Sequence, residues 1–329
     1  MRKTSGIRKA GWIGLLIGLP LFLLMQVPAL AAQEYPTRPI KLIIPFSPGG
    51  VSDLIWRSMT DAMSKVLGQP IILENKVGGG GSIAYTLVAA AKPDGYTVGQ
   101  VPLGSFINNY LMYDVSYNPL KDFTFISGVS RYAESIVVRA DAPWKTWDDF
   151  VIYCKAHPEE VRVGFSGAAS SNAIAAKWIE KKTGMKWKKV TFPGDAEGIT
   201  ALLGGHIEAF PGAGPQNLLV KDGRARMLLA LTTDPIPDFP RVPTFKQVYG
   251  KNTMNGNGLM GPAKIPEPIV AKLSKAVQEG TQSQSFLKMM EQMSMMPAWR
   301  DSKDFTQIVQ TQFINFQEFL KDLDMLKKK

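Results

Sequence analysis

Residues 40–54 read IKLIIPFSPGGVSDL, and this stretch decides the fold. Residues 40–46 form a short, mostly apolar run, which predicts a buried strand. The Ser-Pro-Gly-Gly sequence of residues 47–50 ends that strand, and apolar residues then recur at helical spacing over residues 52–67. A buried strand, a small-residue turn and an amphipathic helix together predict the first half of a βαβ unit.

The same order of elements recurs along the rest of the chain. Further strands are predicted in residues 71–73, 96–101, 135–139, 161–165, 188–192, 207–210, 227–232 and 258–260. Further helices are predicted in residues 82–91, 147–156, 172–183, 196–203, 267–282 and 302–323. This alternation predicts the α/β class, with mostly parallel sheets in two lobes.

The first 31 residues have the pattern of a secretory signal peptide. A basic opening precedes an apolar run at residues 12–25, and Ala29-Leu30-Ala31 supplies small residues for cleavage. The run is shorter than the roughly 20 residues that span a bilayer, and no cysteine near the cleavage site offers a place for a lipid. We therefore expect cleavage near Ala31 and a soluble protein exported to the periplasm without a lipid anchor.

Composition excludes several classes of function. The formal net charge of +10 falls to +6 when the four basic residues of the first 31 are removed, which favours anionic ligands. Basic and aromatic residues do not interleave along one face, so no nucleic-acid partner is expected. Two histidines and one cysteine cannot build a His/Cys metal cluster, and we expect Cys154 to be a buried small apolar residue. The glycine run at residues 78–81 lacks the motifs of phosphate and dinucleotide loops, and no cofactor is expected.

One enzymatic alternative rests on residues 164–168, Gly-Phe-Ser-Gly-Ala. They resemble the nucleophile elbow of a serine hydrolase, and Asp195 and His206 follow in the chain order of an α/β-hydrolase triad. However, only eleven positions separate the two, and most of them belong to one predicted helix. Hydrolysis is therefore the lesser alternative.

Binding accounts for more of the sequence. Three predicted strand-to-helix turns, at residues 47–52, 78–82 and 166–171, consist mainly of Ser, Gly and Ala. Small residues let a ligand approach the backbone, and helix N-termini present free N–H donors to an anion. Ordinary turn chemistry is the alternative for any one of them. Three such turns at the carboxyl ends of strands indicate a carboxylate site that needs no Arg or Lys.

Short motifs in a fixed order extend this interpretation over most of the chain. They are Tyr35-Pro36-Thr37-Arg38-Pro39-Ile40, Pro45-Phe46-Ser47-Pro48-Gly49-Gly50 with Asp53, Glu74-Asn75-Lys76, Lys92-Pro93-Asp94-Gly95-Tyr96-Thr97, Tyr117-Asn118-Pro119-Leu120-Lys121-Asp122-Phe123, Leu202-Leu203-Gly204-Gly205 and Val242-Pro243-Thr244. The series resembles the Bug-type (TctC-like) receptors, which are the substrate-binding proteins of tripartite tricarboxylate transporters.

The resemblance implies a type II periplasmic-binding-protein fold with two α/β lobes, a ligand cleft and a hinge. It places the crossings near residues 131–137 and 230–235. Lobe one would comprise residues 32–130 plus 236–329, and lobe two residues 131–235. The implied partners are a small carboxylate ligand and the membrane subunits of a tripartite transporter. A sensory protein that feeds a signalling receptor is the alternative, and a monomer is the expected state.

Position by position, the resemblance implies ligand-binding residues in both lobes. In the first lobe they are Phe46, Ser47, Gly49, Gly50, Asp53, Gly80, Gly81, Ser82 and Ser105. In the second lobe they are Ser166, Ser170 and Gly194. Asp195 is a further candidate, as a polar contact that replaces those lost from the family pattern, and surface exposure is its alternative. A helix cap is the alternative role for Asp53, and a core position for Phe46.

Three departures from the family pattern concern the identity of the ligand. Ala173 stands where the family commonly has a His after the serine turn, and residues 191–194 lose the Lys of a Pro-Tyr-Lys-Gly segment. Pro211-Gly212 replaces a Phe-Asp pair whose Asp can meet a ligand amine. With no obvious counter-charge for an ammonium group, these changes favour a dicarboxylate, a tricarboxylate or an aromatic acid over an amino acid.

Overall fold

Strands and helices alternate along most of the described chain, except that two strands follow each other in residues 123–139 and two helices in residues 267–292. The computed structural model describes Met1, residues 35–251 and residues 256–327, so the predicted signal peptide lies outside the described residues. The elements belong to one unit that starts at Tyr35. Numbered along the chain, the strands are β1 (Ile40–Ile44), β2 (Ile71–Asn75), β3 (Thr97–Pro102), β4 (Phe123–Arg131), β5 (Ser135–Arg139), β6 (Arg162–Ser166), β7 (Lys188–Phe192), β8 (Ala209–Gly212), β9 (Ala225–Ala230), β10 (Gly256–Pro262) and β11 (Met296–Arg300).

The helices connect these strands and cover both sheets. They are α1 (Val51–Leu67), α2 (Ser82–Ala89), α3 (Leu103–Met112), α4 (Trp147–Ala156), α5 (Ser171–Thr183), α6 (Asp195–Leu203), α7 (Gln216–Lys221), α8 (Phe245–Tyr249), α9 (Glu267–Gln282), α10 (Gln284–Gln292) and α11 (Ser302–Asp322). A search of the described residues found no helix with the length and apolar character needed to cross a membrane.

The first sheet grows from the strand that opens the chain. Its six strands lie in the order β11-β4-β10-β3-β1-β2, and β1 pairs in parallel with both β2 and β3. Ile40, Leu42 and Ile44 are buried because β1 lies inside the sheet and is covered by helices. Helix α1 then packs its apolar stripe, which includes Ile55 and Met59, against α9.

The second sheet has five strands in the order β7-β6-β8-β5-β9. Strand β6 pairs in parallel with β7 and β8, whereas β5 pairs antiparallel with β8 and β9. The buried residues Ile136, Val137 and Val138 belong to β5, which lies between β8 and β9. Trp147, Phe150 and Cys154 of α4 contribute to the core, so the expectation that Cys154 is buried is confirmed.

The expectation of mostly parallel sheets is wrong, because both sheets are mixed. In the first sheet, β10 inserts between β3 and β4 and pairs antiparallel with both. In the second sheet, β5 enters antiparallel to β8. The physical reason is the two-lobe topology. A βαβ connection within one sheet makes the second strand parallel to the first. A strand that enters from the other sheet has no such connection, so it can pair antiparallel.

The chain passes between the sheets at two places that bear on the predicted lobes. Residues 132–134 join β4 of the first sheet to β5 of the second, and the chain leaves the second sheet after β9. However, Phe245 of α8 and Phe319 of α11 both pack against Trp178 of the second lobe, with ring centroids 5.4 and 5.7 Å away. The lobe limits, residues 32–130 plus 236–329 and residues 131–235, therefore stay a proposal.

Candidate functional site

A cavity lies between the elements of the two sheets. It encloses about 470 Å³ of unfilled space, part of which is open to solvent. Its walls come from the starts of α1, α3, α5 and α6 and from the β4–β5 crossing. The lining residues are Phe46, Gly50, Val51, Ser52, Pro102, Ser105, Tyr132, Glu134, Ser166, Ser170, Ser171, Asn172, Gly194, Asp195 and Ala213.

The helix starts give the cavity its donors. The residues that precede α1, α3 and α6 are Gly50, Pro102 and Gly194, and none of them caps its helix with a side chain. The first N–H groups of a helix have no intrahelical partner, so these ends can donate to an anion. Glycine at two of the three positions also keeps the approach to the backbone free of side-chain atoms.

Asp53 orders the loop before α1. The Gly49 amide and the Arg57 Nε donate to its Oδ2 at 3.0 and 2.7 Å, and Asn75 Nδ2 donates to its Oδ1 at 3.1 Å. Burial opposes ionisation of this carboxyl, but the bonds from Arg57, Gly49 and Asn75 prevail and lower its pKa. Both carboxylate oxygens of Asp53 are therefore engaged within the protein.

The serine turn after β6 forms the opposite wall. Gly167 has φ +91°, a conformation that residues with a Cβ rarely adopt, and it lets the chain turn from β6 into α5. The Ala173 amide donates to Ser170 Oγ at 3.3 Å, which caps α5. Asn172 Nδ2 donates to the Pro211 carbonyl at 2.6 Å and so ties α5 to β8.

Asp195 is an unusual carboxyl in this cavity. It is 4% exposed, and burial raises its pKa to about 6, with a further rise from Glu197. The Ser166 hydroxyl, which donates to Oδ1, and the Ala213 backbone act in the opposite direction. Oδ2 is buried and has no hydrogen-bond partner among the described residues.

Glu134 is a second acidic group that the sequence analysis missed. It is 3% exposed, lines the cavity from the β4–β5 crossing, and accepts a hydrogen bond from Ser171 Oγ. The neighbouring Tyr132 is also buried, and its hydroxyl accepts from Gln100 Nε2 at 3.3 Å. The available signal was a glutamate directly before a buried strand, within the segment predicted to cross between the lobes.

The structure brings together only part of the predicted site. The predicted residues that line the cavity are Phe46, Gly50, Ser105, Ser166, Ser170, Gly194 and Asp195. The predicted residues outside its lining are Ser47, Gly49, Asp53, Gly80, Gly81 and Ser82. Of this second group, Gly80 and Ser82 line a separate cavity beside Ala168 and Ala169.

The serine-hydrolase alternative fails on geometry. Ser166 donates directly to Asp195, without a histidine between them. Asp195 begins α6, whereas His206 is exposed beyond the end of that helix. Nine helical residues span about 13 Å, so His206 lies too far away to take a proton from Ser166.

A larger cavity of about 950 Å³ lies beside the first sheet, between β4, β10, β11 and α11. Arg131, Arg300 and Phe305 are among its lining residues. None of its lining residues belongs to the second sheet or to the helices that follow its strands. The smaller cavity, which both sheets build, is therefore the better candidate for a ligand site.

The fold and the inter-sheet cavity define a periplasmic-binding-protein class of receptor, and sequence comparison gives the family. Residues 55–325 match the model of the tripartite tricarboxylate transporter family receptor, TctC, and the chain belongs to this family. The family consists of receptors and not of enzymes. This confirms the predicted Bug-type class, the two-lobe α/β fold and the absence of a catalytic role.

Several relatives cover most of the chain. It is 30% identical to a UPF0065 protein from the gbd 5' region of Cupriavidus necator, over 93% of both chains. It is 28% identical to the protein BugT of Bordetella pertussis, over 78% of this chain and 81% of that one. These similarities extend across both sheets and support the family assignment.

Two solved structures are similar in fold and were determined with a ligand. One is an R. palustris protein with adipate, which has a TM-score of 0.83 and 25% identity, and the alignment covers 89% of this chain and 99% of that one. The other is MatC from Rhodopseudomonas palustris with bound malate, which has a TM-score of 0.80 and 26% identity over 87% of this chain and 100% of that one. Both of those ligands are dicarboxylates.

Proposed function

We propose that the chain is an exported receptor that captures a small carboxylate in the cavity between its two sheets. It then delivers the ligand to the membrane subunits of a tripartite transporter. The observation that carries this proposal is the convergence on one cavity of three helix starts, those of α1, α3 and α6, without side-chain caps. The N–H groups in the first turns of α1 and α6 have no intrahelical partner, so they supply donors for an anion.

The rest of the proposed site follows from this arrangement. Gly50 and Gly194 offer the backbone of α1 and α6, and Ser105, Ser166 and Ser170 add hydroxyl groups from α3 and the serine turn. Similar folds hold adipate and malate, which supports a carboxylate as the ligand. Asp53 holds the loop before α1 and does not contact the ligand.

Capture in this class of protein is a closure of two lobes around the ligand. The crossing at residues 132–134 joins the sheets and contributes to the wall of the cavity, so hinge movement there would change the shape of the site. The closed form would present a composite surface to the membrane subunits. The basic opening and apolar run of the first 31 residues support export, cleavage near Ala31 and a periplasmic location.

Thermal unfolding of the protein from Ala32 onward tests the proposal. The panel contains succinate, malate, citrate, adipate and benzoate, each beside its uncharged amide. A ligand that binds only the folded state stabilises it by RT ln(1 + [L]/Kd), about 2.7 kcal/mol at a hundredfold excess over Kd. A rise in Tm with a carboxylate but not with its amide supports the proposal. Equal rises with an acid and its amide, or no rise with any of the five acids, would contradict it.

A further inference from the structure

The two lobes meet through helix α3 and the serine turn, beside the cavity that we propose for the ligand. Helix α3 follows β3 of the first sheet, and the serine turn, residues 167–170, joins β6 of the second sheet to α5. Ser105 of α3 and Ser170 of the turn both line the cavity. Asn108 lies one turn after Ser105, and Ala169 directly precedes Ser170, but both lie outside the lining. A contact between them can therefore act on the site from outside it.

Asn108 joins the two lobes by a hydrogen bond. Its Nδ2 donates to the Ala169 carbonyl at 3.0 Å, and the two residues are 0% and 2% exposed. The next residue, Asn109, is also buried, and its Nδ2 donates to the Gly80 carbonyl of the first lobe at 2.9 Å. Two neighbouring asparagines of α3 therefore make the same kind of bond, one between the lobes and one within the first lobe.

The packing around the bond of Asn108 is close. Gly104 of α3 leaves no room for a side chain, since a Cβ there would lie 2.8 Å from Ser171 Cβ and 3.0 Å from the Ser171 backbone nitrogen. Ile174 of α5 is 1% exposed and belongs to the same apolar cluster as Phe106 of α3. The bond between the lobes therefore lies in a tightly packed contact, where an amide or carbonyl group without a partner costs stability.

Closure links this contact to ligand binding. The ligand that we propose occupies the cavity between the two sheets, so it is held by the conformation in which the lobes meet. If only that conformation binds, the apparent Kd equals the intrinsic Kd divided by the fraction of protein that is closed. Separation of the lobes would break the bond from Asn108 to Ala169, whereas the bond from Asn109 to Gly80 would stay.

We propose that Asn108 is a positioning residue for ligand capture. It holds α3 against the serine turn in the closed form and so sets the affinity without touching the ligand. This inference rests on the proposed function and adds to it a residue that controls closure. The partner of Asn108 is a backbone carbonyl, so the role depends on the side chain at position 108 and not on the one at position 169.

A matched pair of variants tests the inference. Asn108→Ala removes the bond between the lobes, and Asn109→Ala removes the bond within the first lobe. Isothermal titration measures the Kd of wild type and of each variant for succinate, malate, citrate, adipate and benzoate. For the acid that binds wild type most tightly, we expect Asn108→Ala to raise the Kd by about fivefold or more, because the closed form alone loses a buried bond. Asn109→Ala should change it by less than about twofold, since the closed fraction stays the same.

Two further measurements separate closure from folding. In urea denaturation of the ligand-free protein, Asn109→Ala should lower the midpoint at least as much as Asn108→Ala, although only Asn108→Ala weakens binding. In stopped-flow kinetics, a faster koff should account for the loss of affinity in Asn108→Ala, since the closed form reopens more readily. Asn108→Leu has a side chain of similar size without the donor, and it gives the same comparison if Asn108→Ala fails to fold.

The outcomes distinguish this inference from the proposed function. An unchanged Kd in Asn108→Ala and Asn108→Leu would overturn the inference and leave the proposed function intact. Equal weakening of binding by Asn108→Ala and Asn109→Ala would also overturn it, because the integrity of α3, and not closure, would then set the affinity. Absence of binding of all five acids to wild type would remove the proposed function and this inference with it.

Discussion

Two helix starts in this protein have the same local sequence pattern, but the pKa values of their aspartates shift in opposite directions. In α1 and in α6, a glycine precedes the helix, no side chain caps it, and an aspartate lies in its first turn. Asp53 and Asp195 are both buried, at 1% and 4% exposure. Yet the pKa of Asp53 is lowered, whereas that of Asp195 is raised to about 6.

The difference comes from partners that lie elsewhere in the chain. Asp53 accepts from Arg57 one turn later, from Gly49 in its own loop, and from Asn75 at the end of β2. Asp195 has the Ser166 hydroxyl and the Ala213 backbone, with Glu197 nearby as a like charge. Both carboxylate oxygens of Asp53 are therefore bonded within the protein, whereas Asp195 Oδ2 has no hydrogen-bond partner among the described residues.

The largest expected effect comes from removing the Asp53 carboxylate, whose bonds hold the loop before α1. Asp53→Ala removes the acceptor of three donors and leaves the Gly49 amide without its partner, while Asn75 keeps only its bond to the Phe46 carbonyl. We expect the free energy of unfolding to fall by about 3 kcal/mol, since bonds to a buried charged group are worth more than neutral ones. Urea denaturation at pH 7.5 measures it.

Asp61→Ala on the exposed face of the same helix is the matched control for that variant. It should change the free energy of unfolding by no more than about 0.5 kcal/mol. Equal effects of the two substitutions would show that Asp53 acts only as a first-turn charge and not as the centre of the loop.

Asp195→Asn should instead raise the free energy of unfolding. Between the ordinary pKa of 3.8 and the folded value of about 6, the folded state holds a proton that the unfolded state has released. Ionised Asp195 therefore costs stability as the pH rises through this window, by about 3 kcal/mol in full. After a weaker bond to Ser166 is allowed for, we expect the ligand-free variant to be about 2 kcal/mol more stable than wild type at pH 7.5.

The pH profile of that difference identifies its source. Glu134 lines the same cavity, while Glu197 and Tyr132 interact electrostatically with Asp195, and all three remain in the variant. The stabilisation by Asp195→Asn should therefore shrink as the pH falls from about 6 towards 3.8 and disappear below that range, where Asp195 is protonated in both states. A stabilisation that stays constant from pH 4 to 8 would show that packing, and not the charge, is responsible. Thermal unfolding at intervals of half a pH unit resolves the two.

The fold could be predicted from local patterns where these are strong. The apolar run of residues 40–46 indicated β1, and the predicted helices at residues 267–282 and 302–323 are confirmed as α9 and α11 to within one residue. Strand β4 and helix α3 were not predicted, because their Gly, Ser and Asn residues have weak propensities for regular structure. Tertiary pairing with β10 and packing against α11 stabilise these two elements.

The helix starts that line the site could be predicted from the sequence, whereas the positions of its buried acidic side chains could be predicted only in part. Small residues at strand ends indicated the helix starts, and Ser166, Gly194 and Asp195 do line the cavity. Glu134 escaped notice because its burial follows from the way residues 132–134 cross between the sheets, which no local pattern shows. For the same reason, the sequence alone could not show that both carboxylate oxygens of Asp53 accept hydrogen bonds, whereas Asp195 Oδ2 has no partner among the described residues.

The smallest expected effect concerns Ser166, whose hydroxyl donates to the carboxylate of Asp195. Ser166→Ala removes this donor, so the pKa of Asp195 should rise further above its ordinary range. A bond to a charged group is worth about 1.5–3 kcal/mol, and we expect the lower end because water can enter the cavity of the ligand-free protein. The same substitution in the Asp195→Asn background should cost about 0.5 kcal/mol, as the bond there joins two neutral groups.

A double-mutant cycle from urea denaturation at pH 7.5 therefore yields a coupling of about 1 kcal/mol. A coupling near zero would mean that the serine hydroxyl does not support the ionised aspartate, and the contrast between the two helix starts would then rest on the partners of Asp53.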